Sequence, residues 1–318
     1  MKRARLNRPL LIFSILIAAA AFPVADILWR AGEPAFATSI FLLGVSLGPC
    51  LSVYAAVPTA RKQAARHVVL FTGGLSIMAF GLLGAANLDL EGFFMLLFLG
   101  AAGAAIGHTM VTVILGPIFF GRFLCGWGCW RAMILELLPV KKSTGRRSGA
   151  WSVIPFLGLA LSIATAALSV FLLRHNPGGM PGAMHSGSMR AIAIGFAVYY
   201  AASIGLAFAM RDQRAFCKYL CPSGVILGFT SRLSILKMKA TAELCNACGA
   251  CSKVCPMDID VSHFAVLGER VRSGQCILCQ RCAQACPTDA LRLTAGIDAA
   301  GNTPFVLHQN GSHREVHT

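Results

Sequence analysis

Thirteen cysteines punctuate this 318-residue chain, and eight of them lie between Cys245 and Cys286. They form two runs, C-N-A-C-G-A-C-S-K-V-C-P and C-I-L-C-Q-R-C-A-Q-A-C-P, each of which reads C-x2-C-x2-C-x3-C-P. Thiolates are soft ligands, and at this spacing they suit iron–sulfur clusters. Two-residue gaps let three sulfurs wrap one cluster, while the fourth, three residues on and just before Pro, reaches the other. By that rule Cys245, Cys248, Cys251 and Cys286 hold one [4Fe–4S] cluster. Cys276, Cys279, Cys282 and Cys255 hold the second. A pair of zinc knuckles or a disulfide framework is the alternative. Zinc sites normally draw four ligands in two separated pairs, so two identical runs of four argue against it.

Four more cysteines form two C-x3-C pairs. Cys125 and Cys129 lie in G-R-F-L-C-G-W-G-C-W, and Cys217 and Cys221 in R-A-F-C-K-Y-L-C-P. Residues four apart share one face of a helix, so each pair can present two thiolates in one direction. Both pairs come at the end of an apolar segment, and together they can supply four sulfurs to one metal or cluster. Two separate thiol pairs, redox-active or inert, are the alternative. Cys50 stands alone in an apolar stretch and reads as a small hydrophobe.

What must position these sulfurs is mostly apolar. The sequence is 56% hydrophobic and 13% charged, with a mean hydropathy of +0.67. Soluble domains carry roughly 25% charged residues. Apolar spans are expected at 9–29, 38–59, 67–86, 93–119, 151–173 and 190–210, lengths that suit a hydrocarbon core about 30 Å thick. The basic start (Lys2, Arg3, Arg5, Arg8) with Ala35-Phe36-Ala37 resembles a signal peptide, but the long apolar run favours an uncleaved first helix. The net charge of +15 sits in short runs between apolar segments, which speaks for loop orientation and not for nucleic-acid binding. Arg61, Lys62, Arg66, Arg122, Arg131, Lys141, Lys142, Arg146, Arg147, Arg211, Arg214 and Lys218 fall on one side under the positive-inside rule. Asp89 and Glu91 fall on the other. That bias places the N-terminus and the cysteine-rich module in the cytoplasm, with the chain crossing a bacterial inner membrane several times.

The paired motifs resemble those of the NapH/NosR group of membrane-bound ferredoxin-type proteins. The matching residues are Gly121, Arg122, Cys125, Gly126, Trp127 and Cys129, then Cys217, Cys221 and Pro222, then the eight cysteines of the two-cluster run. Trp130 stands where the first motif of that group has Pro. A flavin-binding extracellular domain of the NosR kind is not expected from these residues, so the layout is closer to the NapH-like quinol dehydrogenase component. The resemblance runs from about residue 95 to the second cysteine run. It implies electron transfer between the quinone pool and a partner reductase, dehydrogenase or ferredoxin-type protein.

Within the apolar part, His108 follows a stretch of Gly and Ala in the fourth span, where small residues allow close approach. An ionisable group at such depth is costly and often functional, so His108 is a candidate for a quinone or proton site; a His satisfied by a neighbouring helix is the other reading. Asp26 is a second ionisable candidate. The loop carrying His175, Met180, Met184, His185 and Met189 has ligand types that suit copper, or it is a flexible Gly/Pro loop.

The expected architecture is therefore an α-helical membrane bundle of about six transmembrane helices with a C-terminal α+β two-[4Fe–4S] ferredoxin-like module. Residues 1–221 form the membrane domain, 222–239 an interfacial amphipathic linker helix, 240–296 the ferredoxin module and 297–318 a polar tail. The expected function is iron–sulfur electron transfer with the quinone pool. Copper or iron reduction for metalloenzyme assembly, or a non-catalytic anchor for a redox partner, are the alternatives.

Overall fold

The computed structural model describes residues 8–32, 34–83, 87–100, 104–140, 145–147, 149–175 and 183–296. The polar tail and the Met-rich part of the loop at 176–182 lie outside them, as do the side chains of His175, Met184, His185 and Met189.

Three long helices open the chain: α1 (Arg8–Arg30), α2 (Pro34–Ala56) and α3 (Lys62–Leu83). Each is 22 or 23 residues long, about 34 Å at 1.5 Å per residue. On α1, Asp26 pairs with Arg30 at 2.9 Å, and both side chains are exposed. Two further long helices, α9 (Ile154–His175) and α10 (Ala183–Met210), come later.

The segment expected as a single span over 93–119 is not one helix. Helix α4 (Leu90–Leu99) stops at Gly100, which adopts the left-handed conformation that favours glycine. Helix α5 (Ala104–Thr109) then runs into a π-helical stretch, Met110–Leu115, and α6 (Gly116–Phe120). Past Gly121 the chain turns by 95° into two short helices, α7 (Phe123–Trp127) and α8 (Trp130–Leu135). Among the described residues, Thr59–Leu82, Ile154–Leu172 and Ile192–Met210 are long and apolar enough to cross a membrane. A fourth span results if the bent pair counts as one. The expectation of about six is thus corrected to three or four clear candidates; several side chains of α1 and α2 lie outside the described residues.

After α10 the chain repeats the α7–α8 pattern with α11 (Ala215–Tyr219) and α12 (Pro222–Thr230). The linker helix expected over 222–239 therefore ends at Thr230. A 3₁₀ turn follows, and Leu236–Ala240 is strand β1. Lys237 and Lys239 alternate with Met238 and Ala240, and this period of two reads as strand. Strand β1 pairs antiparallel with β2 (Leu291–Ala295), with Met238 opposite Leu293. Between the two strands lie the cysteine runs and the short helices α13 (Ala250–Lys253), α14 (Val261–Val266) and α15 (Arg281–Ala285).

The module is packed onto the bundle. One buried cluster joins Leu51, Tyr54 and Val69 of α2 and α3 with Trp127, Met238, Ile277 and Leu278. Five of the twelve basic residues expected as loop charges are instead inside the structure. Arg66, Arg122, Arg131, Arg214 and Lys218 are all buried. Burial of a cation demands a partner, and Lys218 has two, Asp212 and Asp258.

Candidate iron–sulfur sites

The two cysteine runs fold alike. Ala247 and Gly249 in the first run, and Leu278 and Gln280 in the second, occupy equivalent places and all have positive φ, between 52° and 67°. Asp258 and Asp289, each three residues after the Cys that precedes Pro, share this conformation at φ 54° and 55°. Alternation of right- and left-handed residues turns successive N–H groups to one side, the nest that receives anionic groups such as cluster sulfur.

The structure gathers the eight sulfurs into two sets. Cys255, Cys276, Cys279 and Cys282 line one cavity, walled by Met238, Ile259 and Val271. Cys245, Cys248, Cys251 and Cys286 line another. The Cys of each C-P thus lies with the opposite run. Burial pushes the Cys276 thiol up to about 12. Burial and the neighbouring Cys279, Cys276 and Cys255 raise Cys282 as well. Four thiols held this close resist ionisation unless a cation compensates them, which iron does. Burial alone would also raise Cys286, but hydrogen bonds from Thr288 and from the Ala290 amide, 3.3 Å from Sγ, bring it below its ordinary value.

A zinc ion draws its sulfurs to about 2.3 Å from a single point. Among the described residues no group of three His, Cys, Asp or Glu side chains converges as ligands of a single ion. Sulfurs spread around a cavity suit a polynuclear group.

The C-x3-C pairs are placed by a second structural repeat. Arg122 and Arg214 each precede a short helix, α7 or α11, that carries Cys125 or Cys217. Cys129 (φ −73°, ψ 122°) and Cys221 (φ −63°, ψ 113°) are then extended caps for α8 and α12. Neither pair lies on one continuous helix, contrary to the shared-face expectation, because the chain leaves helical geometry at Gly128 and Leu220. Trp130 and Pro222 both occupy the first helical position, so the backbone repeats although the first motif lacks Pro.

The two repeats reach across to each other. Arg214 donates through Nη1 to the Cys125 carbonyl at 3.0 Å and lies 3.8 Å from Cys217 Sγ. Arg131, next to the first pair, lies 3.8 Å from Cys221 Sγ in the second. Arg131 and Arg214 thus tie the two repeats together at the cysteine pairs.

Their depth differs from the helix-end position read from the sequence. A Cβ on Gly74 would lie 3.2 Å from the Cys129 carbonyl. Gly74 is twelve residues into α3, about 18 Å along its axis from Lys62. Asp89 and Glu91, expected in a loop opposite Arg131, are at this same site. Asp89 pairs with Arg131, and Glu91 accepts hydrogen bonds from Tyr199 and, at 2.6 Å, from Ser162. The break at Gly100 and the return of α8 along α3 bring them together. His108 lies on α5, but its side chain is outside the described residues. Cys50 receives the Thr72 hydroxyl at 3.9 Å.

The sequence reading passed over Glu136. It is buried, paired with Arg66 and Arg214, 3.0 Å from His67 Nε2 and 3.4 Å from Arg281. Burial raises its carboxyl, but Arg214, His67 and Arg66 together overcome this and hold it well below the usual range. A lone Glu among six cations in 120–147 was the available signal.

Residues 237–287 match the model of the 4Fe-4S dicluster domain. The chain thus carries a two-cluster ferredoxin domain. It is similar to the putative electron transport protein YccM of Escherichia coli strain K12, 28% identical over 178 residues, 50% of this chain and 48% of that protein. It is also similar to the methylamine utilization ferredoxin-type protein MauN. The identity is 27% to that of Methylorubrum extorquens, over 48% of this chain and 54% of the relative. It is 28% to that of Paracoccus denitrificans, over 49% and 55%. The chain spans about half the length of these curated relatives. No solved structure matches it.

Proposed function

We propose that this chain is a membrane-bound iron–sulfur electron-transfer protein working between the quinone pool and a partner redox enzyme, in the manner of a NapH-like quinol dehydrogenase component. The relatives named above, an electron transport protein and ferredoxin-type proteins, support the electron-transfer class. One observation carries the ordering of the path. Trp127, between Cys125 and Cys129, donates its indole N–H to the carbonyl of Leu278, between Cys276 and Cys279, at 3.0 Å.

Under this reading Cys125, Cys129, Cys217 and Cys221 hold a third, bundle-embedded centre. Cys255, Cys276, Cys279 and Cys282 hold the cluster nearest it. Cys245, Cys248, Cys251 and Cys286 hold the outermost one, whose Cys248 is exposed to a soluble partner. When bound, such clusters supply one-electron redox chemistry over a wide span of potentials. The chain's own residues fix the spacing: Arg122 donates to Gln275 Oε1 at 2.6 Å, and Gly126 packs on the Ile277 carbonyl with no room for a Cβ. The inner cavity is lined largely by apolar side chains. The helices of the bundle cross the bacterial inner membrane, with the N-terminus and the dicluster module on the cytoplasmic side.

The test is anaerobic purification with iron and sulfide counting, then mixing with reduced quinones and electron paramagnetic resonance. Quinol-driven cluster reduction is expected. Clusters that dithionite reduces but no quinol does would remove the quinone assignment.

A further inference from the structure

Beside the four membrane-proximal cysteines the bundle holds a buried polar site whose charges do not balance. Arg131 lies 3.8 Å from Cys221 Sγ and pairs with Asp89. Its guanidinium stacks over Tyr199 at 4.0 Å and Trp130 at 4.6 Å. Asp89 and Arg131 neutralise one another, which leaves Glu91 as an additional carboxylate. Its Oε1 takes both hydroxyls, from Tyr199 and Ser162. Its Oε2 is buried with no hydrogen-bond partner among the described residues. A buried carboxylate oxygen without a donor leaves a lone pair open to a proton. An ionisable group within apolar helices is otherwise rare, and such groups commonly serve proton relays.

We propose that Glu91 is the proton-carrying group of the four-cysteine centre, taking up one proton on Oε2 for each electron that centre gains. This rests on the reading that the four cysteines hold a redox centre. An added electron makes the site one charge more negative, and Glu91 is the carboxylate there without a cation of its own. The step balances over two turns with a quinol as donor: each turn passes one electron to the centre and one hydroxyl proton to the Glu91 carboxylate, and the two turns together convert the quinol to the quinone. On reoxidation the electron leaves toward the Cys276 side and the proton leaves Oε2. The groups facing Glu91 are Tyr199 from α10, the Ser162 hydroxyl from α9, and Asp89 with Arg131 of α8. Helix α5, which also packs on α4, carries His108, whose side chain is outside the described residues.

The experiment uses the full chain, purified without oxygen and titrated electrochemically with dithionite and mediators, so that no quinol is needed. The midpoint potential of the third paramagnetic signal is followed against pH in the natural protein, Glu91→Gln and Tyr199→Phe. In the natural protein the potential should fall by about 59 mV for each tenfold drop in proton concentration, the one-electron, one-proton limit. Glu91→Gln should flatten that dependence with iron and sulfide content unchanged. Tyr199→Phe, which removes a donor to the carboxylate, should keep the slope and move its range to higher pH. Infrared difference spectra should gain a protonated-carboxyl band on reduction that Glu91→Gln lacks. A third signal with a flat pH dependence, or a slope that survives in Glu91→Gln, overturns the assignment to Glu91 alone. A protein with no third signal overturns the four-cysteine reading and this proposal with it.

Discussion

Trp127 and Leu278 are joined by a 3.0 Å hydrogen bond from indole to carbonyl, and through it the loop of one cysteine pair touches the loop of a ferredoxin run. Phe123 stacks on Trp127 with ring centroids 5.3 Å apart, and Tyr54 meets it edge-on at 4.6 Å. The indole is fully buried. The joint between bundle and module is thus as dry and close-packed as a protein core.

Gly126 and Gly274 set the approach of module to bundle. The backbone of Ile277 fills the place of a Cβ on Gly126, and that of Gly228 the place of one on Gly274. Gly126→Ala is expected to push the module outward and slow electron passage between the bundle and the inner cluster at least tenfold, while both dicluster signals persist. Rapid-freeze paramagnetic resonance after a reductant pulse reads that rate. An unchanged rate would show that the contact does not set the path.

Cys255 lines the cavity of the second run although it belongs to the first. Cys255→Ala should therefore degrade the cluster held by Cys276, Cys279 and Cys282, and Cys286→Ala the other one. Cluster-specific paramagnetic signals distinguish the two variants. A loss that follows sequence order would contradict the crossed arrangement.

Cys125→Ser and Cys217→Ser, one in each repeat, should abolish the same third signal and lower the iron content by the same amount. Two independent losses would mean two separate thiol sites.

Glu136 joins α8 to Arg66 of α3, Arg214 beside α11 and Arg281 of α15. Glu136→Gln leaves buried arginines uncompensated, a change that costs about 3–5 kcal/mol. A marked drop in melting temperature, or loss of the module from the bundle on limited proteolysis, is expected. The carboxyl titrates below its unfolded value of about 4.3, so its contribution is fully present above that pH. It disappears only as pH falls toward the depressed folded value. Docking of the module in the natural protein should therefore withstand acidification through pH 4, followed by tryptophan fluorescence; an undocking midpoint at or above pH 4.3 would contradict the assignment.

The sequence by itself determined the cysteine chemistry. Ligand spacing in a short loop is a local property, so C-x2-C-x2-C-x3-C-P points to a dicluster domain, which the match over residues 237–287 shows, while the grouping of Cys255 with the second run and Cys286 with the first is seen in the fold. The long apolar helices were legible for the same reason, since hydrophobic length is local too. Tertiary structure decided the rest. The reading of 93–119 as one span failed because apolar composition is blind to a left-handed Gly100 and to a 95° turn. Arg66, Arg131 and Arg214 looked like loop charges because a buried cation differs from an exposed one only by its partners. Those partners, Glu136 and Asp89, stand 70, 42 and 78 positions away. The site around Glu91 draws on α4, α8, α9 and α10, and helices distant in sequence meet only through packing.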